Sequence, residues 1–296
     1  MKAKLLGGAA AVIVAGIGTA WFLTAPSPLS DDDIAGMTGD PEKGALVFAA
    51  GGCASCHIAK GADDGSLVLS GGQTFETEFG TFYAPNISSD PIHGIGAWDT
   101  LDLVNAVKQG VSPEGQHYYP AFPYGSYTRA STQDIVDLAA YMQTLPASDI
   151  PSQDHELIFP FNIRRSVGGW KLLFFSDDWV VDGDLTDQQM RGRELAEGLA
   201  HCAECHTSRN AMGGLQTSRW MGGAPNPSGS GQIPNITPSA LGWLEFDITE
   251  YLTSGFTPEF DTAGGEMAHV VKNMAQLPQQ DREAIAAYIA MLPDVE

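Results

Sequence analysis

The pattern of apolar and polar positions in this chain of 296 residues predicts helices joined by long polar loops. Two stretches, 131–145 and 279–292, place apolar residues three or four positions apart, as on one face of an α-helix. Polar residues open each stretch and a proline stands at its end. The apolar members are Ile135, Leu138, Ala139, Met142, Ile285, Ala286 and Ile289. No stretch alternates clearly between apolar and polar residues as a half-buried strand would, so the pattern predicts an all-α fold.

The N-terminal run from Leu5 to Leu23 contains no charged residue and follows Lys2 and Lys4. It is long enough for one helical crossing of a bilayer, and Trp21 falls where aromatic residues line a membrane interface. A cleaved signal peptide is the alternative, but no small-x-small cleavage motif stands before the acidic residues that begin at Asp31. The run therefore predicts a single-pass anchor in a bacterial inner membrane, with the rest of the chain in the periplasm.

The charge of the chain limits its partners. Acidic side chains outnumber basic ones by 36 to 15, which gives a formal net charge of −21. Such a charge disfavours nucleic acid and anionic lipid as partners. It is explained either by solubility or by docking to a basic patch on another protein.

All four cysteines stand in two copies of the motif Cys-x-x-Cys-His. The copies are Cys53, Cys56 and His57, and Cys202, Cys205 and His206. Two thiols three positions apart can join both vinyl groups of one haem, while the adjacent histidine becomes the proximal ligand of the iron. Half of a zinc site or a redox disulfide is the alternative, but zinc would need further ligands, and redox disulfides do not need the trailing histidine. The motifs therefore predict two covalently bound haem c groups.

An internal repeat accompanies the motifs. They begin 149 residues apart, at positions 53 and 202, and the strings Pro85-Asn86-Ile87 and Pro234-Asn235-Ile236 have the same separation. Two independent landmarks with one offset indicate a duplicated domain. The predicted order is an anchor at 1–29, a flexible stalk at 30–39, a domain at 40–150, a connector at 151–185 and a second domain at 186–296. The connector is rich in aromatic residues, so we expect it to pack over the domain interface.

Around these motifs the chain resembles class I cytochrome c domains in tandem, and more narrowly the cytochrome c subunits of membrane-bound alcohol, gluconate and related dehydrogenases. The resemblance covers nearly all of residues 40–293. It rests on the motifs and on the strings Gly94-Ile95-Gly96-Ala97-Trp98, Tyr119-Pro120-Ala121-Phe122-Pro123-Tyr124 and Phe159-Pro160-Phe161-Asn162-Ile163-Arg164. Those subunits usually carry three haems, so this chain resembles a shorter, two-haem relative. The resemblance implies two tandem helical cytochrome c domains, and the N-terminal run adds a single transmembrane helix before them.

The resemblance also indicates where the sixth ligand of each iron belongs. In the second domain Met267 precedes the terminal helix by the interval at which the family places its axial methionine, with Met274 as the competitor. A histidine and methionine pair raises the potential and leaves no open position. The first domain has no methionine between His57 and its last helix, and the positions where relatives often place one hold Phe122 and Ala130.

His117 is the predicted sixth ligand of the first haem, because it stands in the segment expected to cross the distal face. His93, Lys108 and Tyr119 stay open as alternatives. An iron with no sixth ligand is the remaining possibility.

Four residues of the repeat are predicted to shape the haem pockets. They are Asn86, Trp98, Asn235 and Trp243. Their side chains carry N–H donors that can bond haem propionates, and pinning a loop is the alternative role.

The sequence as a whole predicts a membrane-anchored periplasmic dihaem cytochrome c, with no catalytic residue of its own. It would relay single electrons from a dehydrogenase or quinol-oxidising complex to a terminal oxidase or a soluble cytochrome. A peroxidase-like enzyme with an open haem in the first domain is one alternative. A structural subunit that tethers a respiratory supercomplex is another.

Overall fold

The computed structural model describes residues 14–61, 66–226, 229 and 231–295. The helices of the first domain are α1 (Pro41–Ala50), α2 (Cys53–His57), α3 (Thr100–Val104), α4 (Tyr124–Tyr127) and α5 (Thr132–Met142), with a π-helix at Asn105–Gln109. The connector carries α6 (Val167–Phe174). The helices of the second domain are α7 (Asp187–Arg193), α8 (Ala203–His206), α9 (Pro238–Leu241), α10 (Glu245–Ser254), α11 (Glu266–Met274) and α12 (Gln279–Ile289), with a π-helix at Glu194–Leu199. Short 3-10 turns lie at Asp31–Ile34, Arg164–Ser166 and Thr217–Arg219.

Each domain is built around one pair of crossing helices, α1 with α5 and α7 with α12. A glycine lies at each crossing. A Cβ atom at Gly44 would lie 2.0 Å from the carbonyl oxygen of Asp137, and one at Gly192 would lie 1.9 Å from that of Ala284. The backbones therefore approach more closely than any side chain allows, and the two domains share this feature. The crossing helices carry the residues that lead into each Cys-x-x-Cys-His motif.

Helices form the framework of both domains, as predicted, but the loops between them also contain short strands. β1 (Thr74–Thr77), β2 (Gly80–Tyr83) and β3 (Glu156–Leu157) form an antiparallel sheet in that order, and β4 (Ala224–Pro225) pairs with β5 (Gln232–Ile233). The third strand comes from the connector, so this small sheet joins it to the first domain. Strands of two to four residues are too short to show a period of two in the sequence.

The predicted membrane anchor is wrong. Residues 14–23 are helical, but no helix in the described part of the chain is both long enough and apolar enough to cross a membrane. The described part of this helix has ten residues and is about 15 Å long, against about 30 Å for the hydrocarbon core of a bilayer. The predicted place in the inner membrane, with the domains in the periplasm, rested on this anchor and is corrected with it. Residues 5–13 of the predicted run lie outside the described residues.

The segment predicted as a flexible stalk packs on the first domain instead. The backbone N–H of Leu29 donates to Oδ1 of Asn105 over 2.6 Å. Nε2 of Gln133 in α5 donates to the carbonyl oxygen of Thr38 over 3.0 Å. Backbone groups on both sides of the 3-10 turn thus have partners in the domain, which a free stalk would lack.

The connector bonds to both domains. Nζ of Lys171 donates to the carbonyl oxygen of Gly110 over 2.9 Å, and Nε1 of Trp170 donates to that of Met212 over 3.0 Å. The first contact is with domain 1 and the second with domain 2. The exact domain bounds drawn from the sequence stay predictions.

A buried carboxylate, Glu197, joins the connector to both domains. It is fully buried and accepts hydrogen bonds from the backbone N–H groups of Val180 and Val181 over 2.7 and 3.1 Å. It also accepts from the hydroxyl of Tyr288 over 2.6 Å and lies 3.8 Å from Nε of Arg129 in the first domain. Buried carboxylates are costly unless they are bonded and paired, and this one is both.

Candidate haem-binding sites

Each Cys-x-x-Cys-His motif ends in a histidine that is held by a backbone carbonyl. Nδ1 of His57 donates to the oxygen of Pro85 over 2.9 Å, and Nδ1 of His206 donates to that of Pro234 over 2.8 Å. A carbonyl only accepts, so Nδ1 carries the proton and Nε2 keeps its lone pair for a metal. Burial lowers the pKa of both imidazoles, with the carbonyl bonds opposing that shift, and the neutral form is the one that binds iron.

The thiols fit covalent attachment of haem. All four cysteines are free of disulfides, and each pair lies on one helical turn beside its histidine. Burial raises the pKa of the Cys53 and Cys202 thiols to about 12. Two free thiols and a neutral imidazole with a free Nε2, all on one turn, are the donor set that a c-type haem requires.

The carbonyls of Pro85 and Pro234 are functional groups that the sequence reasoning missed. Both prolines were noted as landmarks of the repeat, and each stands 28 residues after its histidine. The signal was present in that shared spacing. A backbone oxygen has no residue type of its own, so its role becomes visible only in the structure.

Asn86 and Asn235 each pin the chain that follows the last helix of their domain. Nδ2 of Asn86 donates to the carbonyl oxygens of Ser148 and Ile150, both over 2.8 Å. Nδ2 of Asn235 donates to that of Val295 over 2.7 Å. These contacts match the alternative role of pinning a loop, while bonding to a propionate stays a prediction.

Trp98 and Trp243 are both half-buried against the core. Trp98 lines a cavity of about 430 Å³ together with Leu103 and Met142. The ring of Trp243 packs edge-on against Tyr251, with 5.2 Å between ring centroids. Their predicted contact with haem stays a prediction.

Met267 is the second residue of α11 and is half-buried against the core. Its competitor Met274 ends the same helix and is almost fully buried. The Met274 side chain is held in the core by its neighbours. Met267 lies at the start of the helix and is only partly covered. Ligation of the second iron by Met267 stays a prediction.

His117 lies against the N-terminal segment and the connector. Its Nε2 donates to the carbonyl oxygen of Thr24 over 2.9 Å, and a Cβ at Gly168 in α6 would lie 2.8 Å from that nitrogen. Nδ1 is therefore unprotonated, and it is buried without a hydrogen-bond partner among the described residues. Burial lowers the pKa of His117. Its ligation of iron stays a prediction that these contacts do not support.

Lys108, one of the alternative sixth ligands, bonds to backbone carbonyls of the first domain. It is buried in the π-helix, and its Nζ donates to the carbonyl oxygens of Thr128, over 2.8 Å, and Ala130. Burial lowers its pKa. The ammonium group therefore has two protein acceptors on the segment between α4 and α5.

The two attachment turns bond reciprocally to the opposite domains. Nδ2 of Asn273 in α11 donates to Oγ of Ser55 over 2.9 Å, and Oγ of Ser126 in α4 donates to Oε1 of Glu204 over 2.8 Å. Ser55 and Glu204 hold the same place in their motifs. Ser126 and Asn273 each lie six residues before the last helix of their domain. The domains therefore meet in an approximately two-fold arrangement with the attachment turns at its centre.

The segments that enter the two motifs also touch. The ring of His201 packs edge-on against Tyr127, with 5.3 Å between ring centroids. The hydroxyl of Tyr127 donates to the carbonyl oxygen of Gly51 over 2.7 Å. His201 and Gly52 immediately precede the first cysteine of their motifs and have positive φ angles of 40° and 62°. A Cβ at Gly52 would lie 3.9 Å from Cε1 of His201.

The thiols of the two sites are electrostatic neighbours. Burial raises the pKa of the Cys56 thiol to about 11, and the nearby Glu266 carboxylate and Cys205 thiol add to that rise. Cys205 belongs to the other motif. The two turns that would hold the haems therefore both lie at the domain interface.

Two helical domains, each with a haem-attachment turn, define a c-type cytochrome with two covalent haem c groups. The family model for cytochrome c matches the chain twice, at residues 41–146 and 189–293. The chain therefore belongs to the cytochrome c family.

Relatives carry similar names. The chain is 53% identical to the "Diheme cytochrome c-type" protein of Cereibacter sphaeroides over the full length of both. It is 36% identical to the fructose dehydrogenase cytochrome subunit of Gluconobacter japonicus, over 85% of this chain and 52% of that protein. It is 31% identical to the cytochrome c subunit of the quinone alcohol dehydrogenase of Gluconacetobacter polyoxogenes, over 86% of this chain and 56% of that subunit. The chain thus spans about half the length of these two dehydrogenase subunits.

Proposed function

We propose that this chain relays single electrons through its two haems, from a dehydrogenase to a further redox protein. The reciprocal interface carries the proposal. The bonds of Asn273 to Ser55 and of Ser126 to Glu204 hold each attachment turn against a helix of the opposite domain. Electron transfer between cofactors slows steeply with their separation, so a fixed, close arrangement favours exchange within one molecule.

The chain's own side chains hold and tune each centre. When bound, haem supplies one-electron chemistry at its iron. His57 and His206 present unprotonated Nε2 atoms, and the carbonyls of Pro85 and Pro234 fix the planes of their rings. Met267 is proposed as the sixth ligand in the second domain, where a thioether would close the site and raise its potential.

A dehydrogenase is proposed as the donor because two relatives are named as cytochrome subunits of fructose and alcohol dehydrogenases. A soluble cytochrome or a terminal oxidase is proposed as the acceptor. With a net charge of −21, the chain would dock most readily to a basic surface, and its rate of association would fall as ionic strength rises.

The test uses the tagged holoprotein isolated from its own cells under mild conditions. An alcohol, fructose and gluconate are added anaerobically while the haem absorbance is followed. We expect a dehydrogenase polypeptide to copurify, one substrate to reduce both haems, and ferric soluble cytochrome c to reoxidise them. A chain that isolates alone, and whose haems respond to dithionite but to none of these substrates, would contradict a dehydrogenase donor.

A further inference from the structure

The two domains share one turn just before the segment that carries Met267 in the second domain. In the first domain, the N–H of Tyr118 donates to the carbonyl oxygen of Gly110 over 2.8 Å. In the second, the N–H of Ala263 donates to that of Gly255 over the same distance. A β-bridge pairs Val111 with His117 in the first turn and Phe256 with Thr262 in the second. Every matched pair of positions is 145 residues apart, so the turns are equivalent position by position.

The offset of the turn, continued for four residues, places Phe122 where the second domain has Met267, and the change of offset to 147 then falls between this pair and the pair Ser126 and Asn273. Phe122 lies four residues after Tyr118, and Met267 lies four residues after Ala263. Both side chains are half-buried against the core. His117 corresponds to Thr262, a bridge position within the turn. The repeat therefore assigns the axial position of the first domain to a phenyl ring, which cannot bind iron.

The ring of Phe122 lies beside the first attachment site. Its centroid is 5.8 Å from that of Tyr127, whose hydroxyl bonds to Gly51 two residues before Cys53. It also packs edge-on against Tyr118 and Tyr124, with centroids 6.1 and 6.3 Å away. Aromatic rings therefore surround the position that a ligand from the protein would occupy.

The other side chains that could ligate this iron have partners elsewhere. Nζ of Lys108 is bonded to Thr128 and Ala130, and Nε2 of His117 to Thr24. His93 lies in the loop that follows Pro85, where its backbone N–H donates to Oδ1 of Asp90 over 2.7 Å. The ring of Tyr119 packs edge-on against Phe82 and His155, with centroids 5.8 and 5.7 Å away. Among these candidates, the competitor that remains is Nδ1 of His117, which is buried without a partner among the described residues.

We propose that the haem of the first domain has no protein sixth ligand and binds a small uncharged ligand of the carbon monoxide type beside Phe122. The phenyl ring of Phe122 offers neither a positive charge nor an N–H or O–H donor to an anion, which favours a neutral diatomic molecule. The second haem, closed by Met267, would not bind it. The proposal concerns ligand binding and does not depend on the electron-relay function or on any partner.

The test is the binding of carbon monoxide to the fully reduced holoprotein, with the spin state of the oxidised protein read by EPR. We expect one carbon monoxide per chain and one high-spin haem. Phe122→Met should abolish carbon monoxide binding, convert that haem to low spin and add a methionine-to-iron charge-transfer band. Phe122→Leu, which supplies no ligand, should keep both the binding and the high-spin signal. The mirror variant Met267→Phe should open the second haem and give two carbon monoxide molecules per chain.

Three results would overturn the proposal. The first is a wild-type protein with two low-spin haems and no carbon monoxide binding, which needs no variant to fold. The second is a high-spin signal that appears only in His117→Ala, because His117 would then be the ligand. The third is a Met267→Phe protein that binds no additional carbon monoxide, because the equivalence of the two positions would then fail.

Discussion

Asn273 of the second domain donates a hydrogen bond of 2.9 Å to the hydroxyl of Ser55, which stands between the two thiols of the first motif. Asn273 belongs to α11, the helix that begins beside Met267. One bond therefore connects the attachment turn of the first haem to the helix proposed to supply the axial ligand of the second. The matching bond from Ser126 to Glu204 makes the connection reciprocal.

Removing this bond should loosen the domain interface. Asn273→Ala leaves the Ser55 hydroxyl without its donor, and we expect a loss of about 1 kcal/mol in the free energy of unfolding. Denaturant unfolding of the holoprotein measures this loss. Gln276→Ala is the control, because that exposed side chain bonds only to the carbonyl of Lys272 nearby in sequence. Equal stability of the two variants would contradict the role assigned to Asn273.

The buried Glu197 carboxylate should contribute more to the free energy of unfolding than an exposed carboxylate does. In Glu197→Gln, the new amide NH2 group faces the N–H groups of Val180 and Val181, which are donors as well. Arg129 also loses its carboxylate partner. Breaking one side of a buried pair costs about 3–5 kcal/mol. Glu194→Gln, on the same π-helix but half exposed and paired with Arg191, should cost only about 0–1 kcal/mol. Thermal and denaturant unfolding compare the two, and similar losses would refute the account of Glu197.

Asn86 distinguishes a structural role from a role at the haem. If it pins the chain at Ser148 and Ile150, Asn86→Ala should lower the free energy of unfolding by about 1–3 kcal/mol and leave the reduction potentials unchanged. If it bonds a propionate, the potential of the first haem should shift instead. Spectroelectrochemical titration beside denaturant unfolding separates the two, with Asn235→Ala as the matched variant of the second domain.

Lys171 should make stability depend on alkaline pH. Burial lowers its pKa from 10.5 to about 8, and its Nζ lies 4.5 Å from the centroid of the Tyr124 ring. Below pH 8 the ammonium is charged in both states, and the full cost of burying it is present. Between about pH 8 and 10.5 the unfolded chain holds the extra proton, so this group makes stability rise with pH.

The variant Lys171→Met should remove that rise, and the exposed Lys60→Met should keep it. The measurement is the free energy of unfolding at a series of pH values across this window. Parallel curves for wild type and Lys171→Met would show that the group does not titrate as described.

The haem sites were largely predictable because their determinants are local in sequence. Two thiols and a histidine within five residues carry the attachment chemistry, and the periodicity of α5 and α12 needs only their own residues. The interface was not predictable, since Ser55 and Asn273 are 218 positions apart and neither stands in a pattern. The same limit applies to Glu197, whose buried carboxylate is read from the sequence as one more charge on a polar helix.

The errors have equally specific causes. An uncharged run of sufficient length predicted the anchor, but the described helix covers only residues 14–23 of it. The stalk was predicted to be flexible from its acidic residues, yet its backbone finds partners at Asn105 and Gln133. His117 is not one of these errors: its ligation of iron stays a prediction, while our further proposal takes Phe122 as the counterpart of Met267.

The central claim is that two haems exchange electrons within one molecule. It is tested most directly by injecting single electrons into the oxidised holoprotein with a photochemical reductant and following the absorbance of each haem. The account predicts a redistribution phase whose rate is independent of protein concentration and is slower in Asn273→Ala. A redistribution rate that increases in proportion to protein concentration would mean that electrons pass between molecules, and would contradict the account.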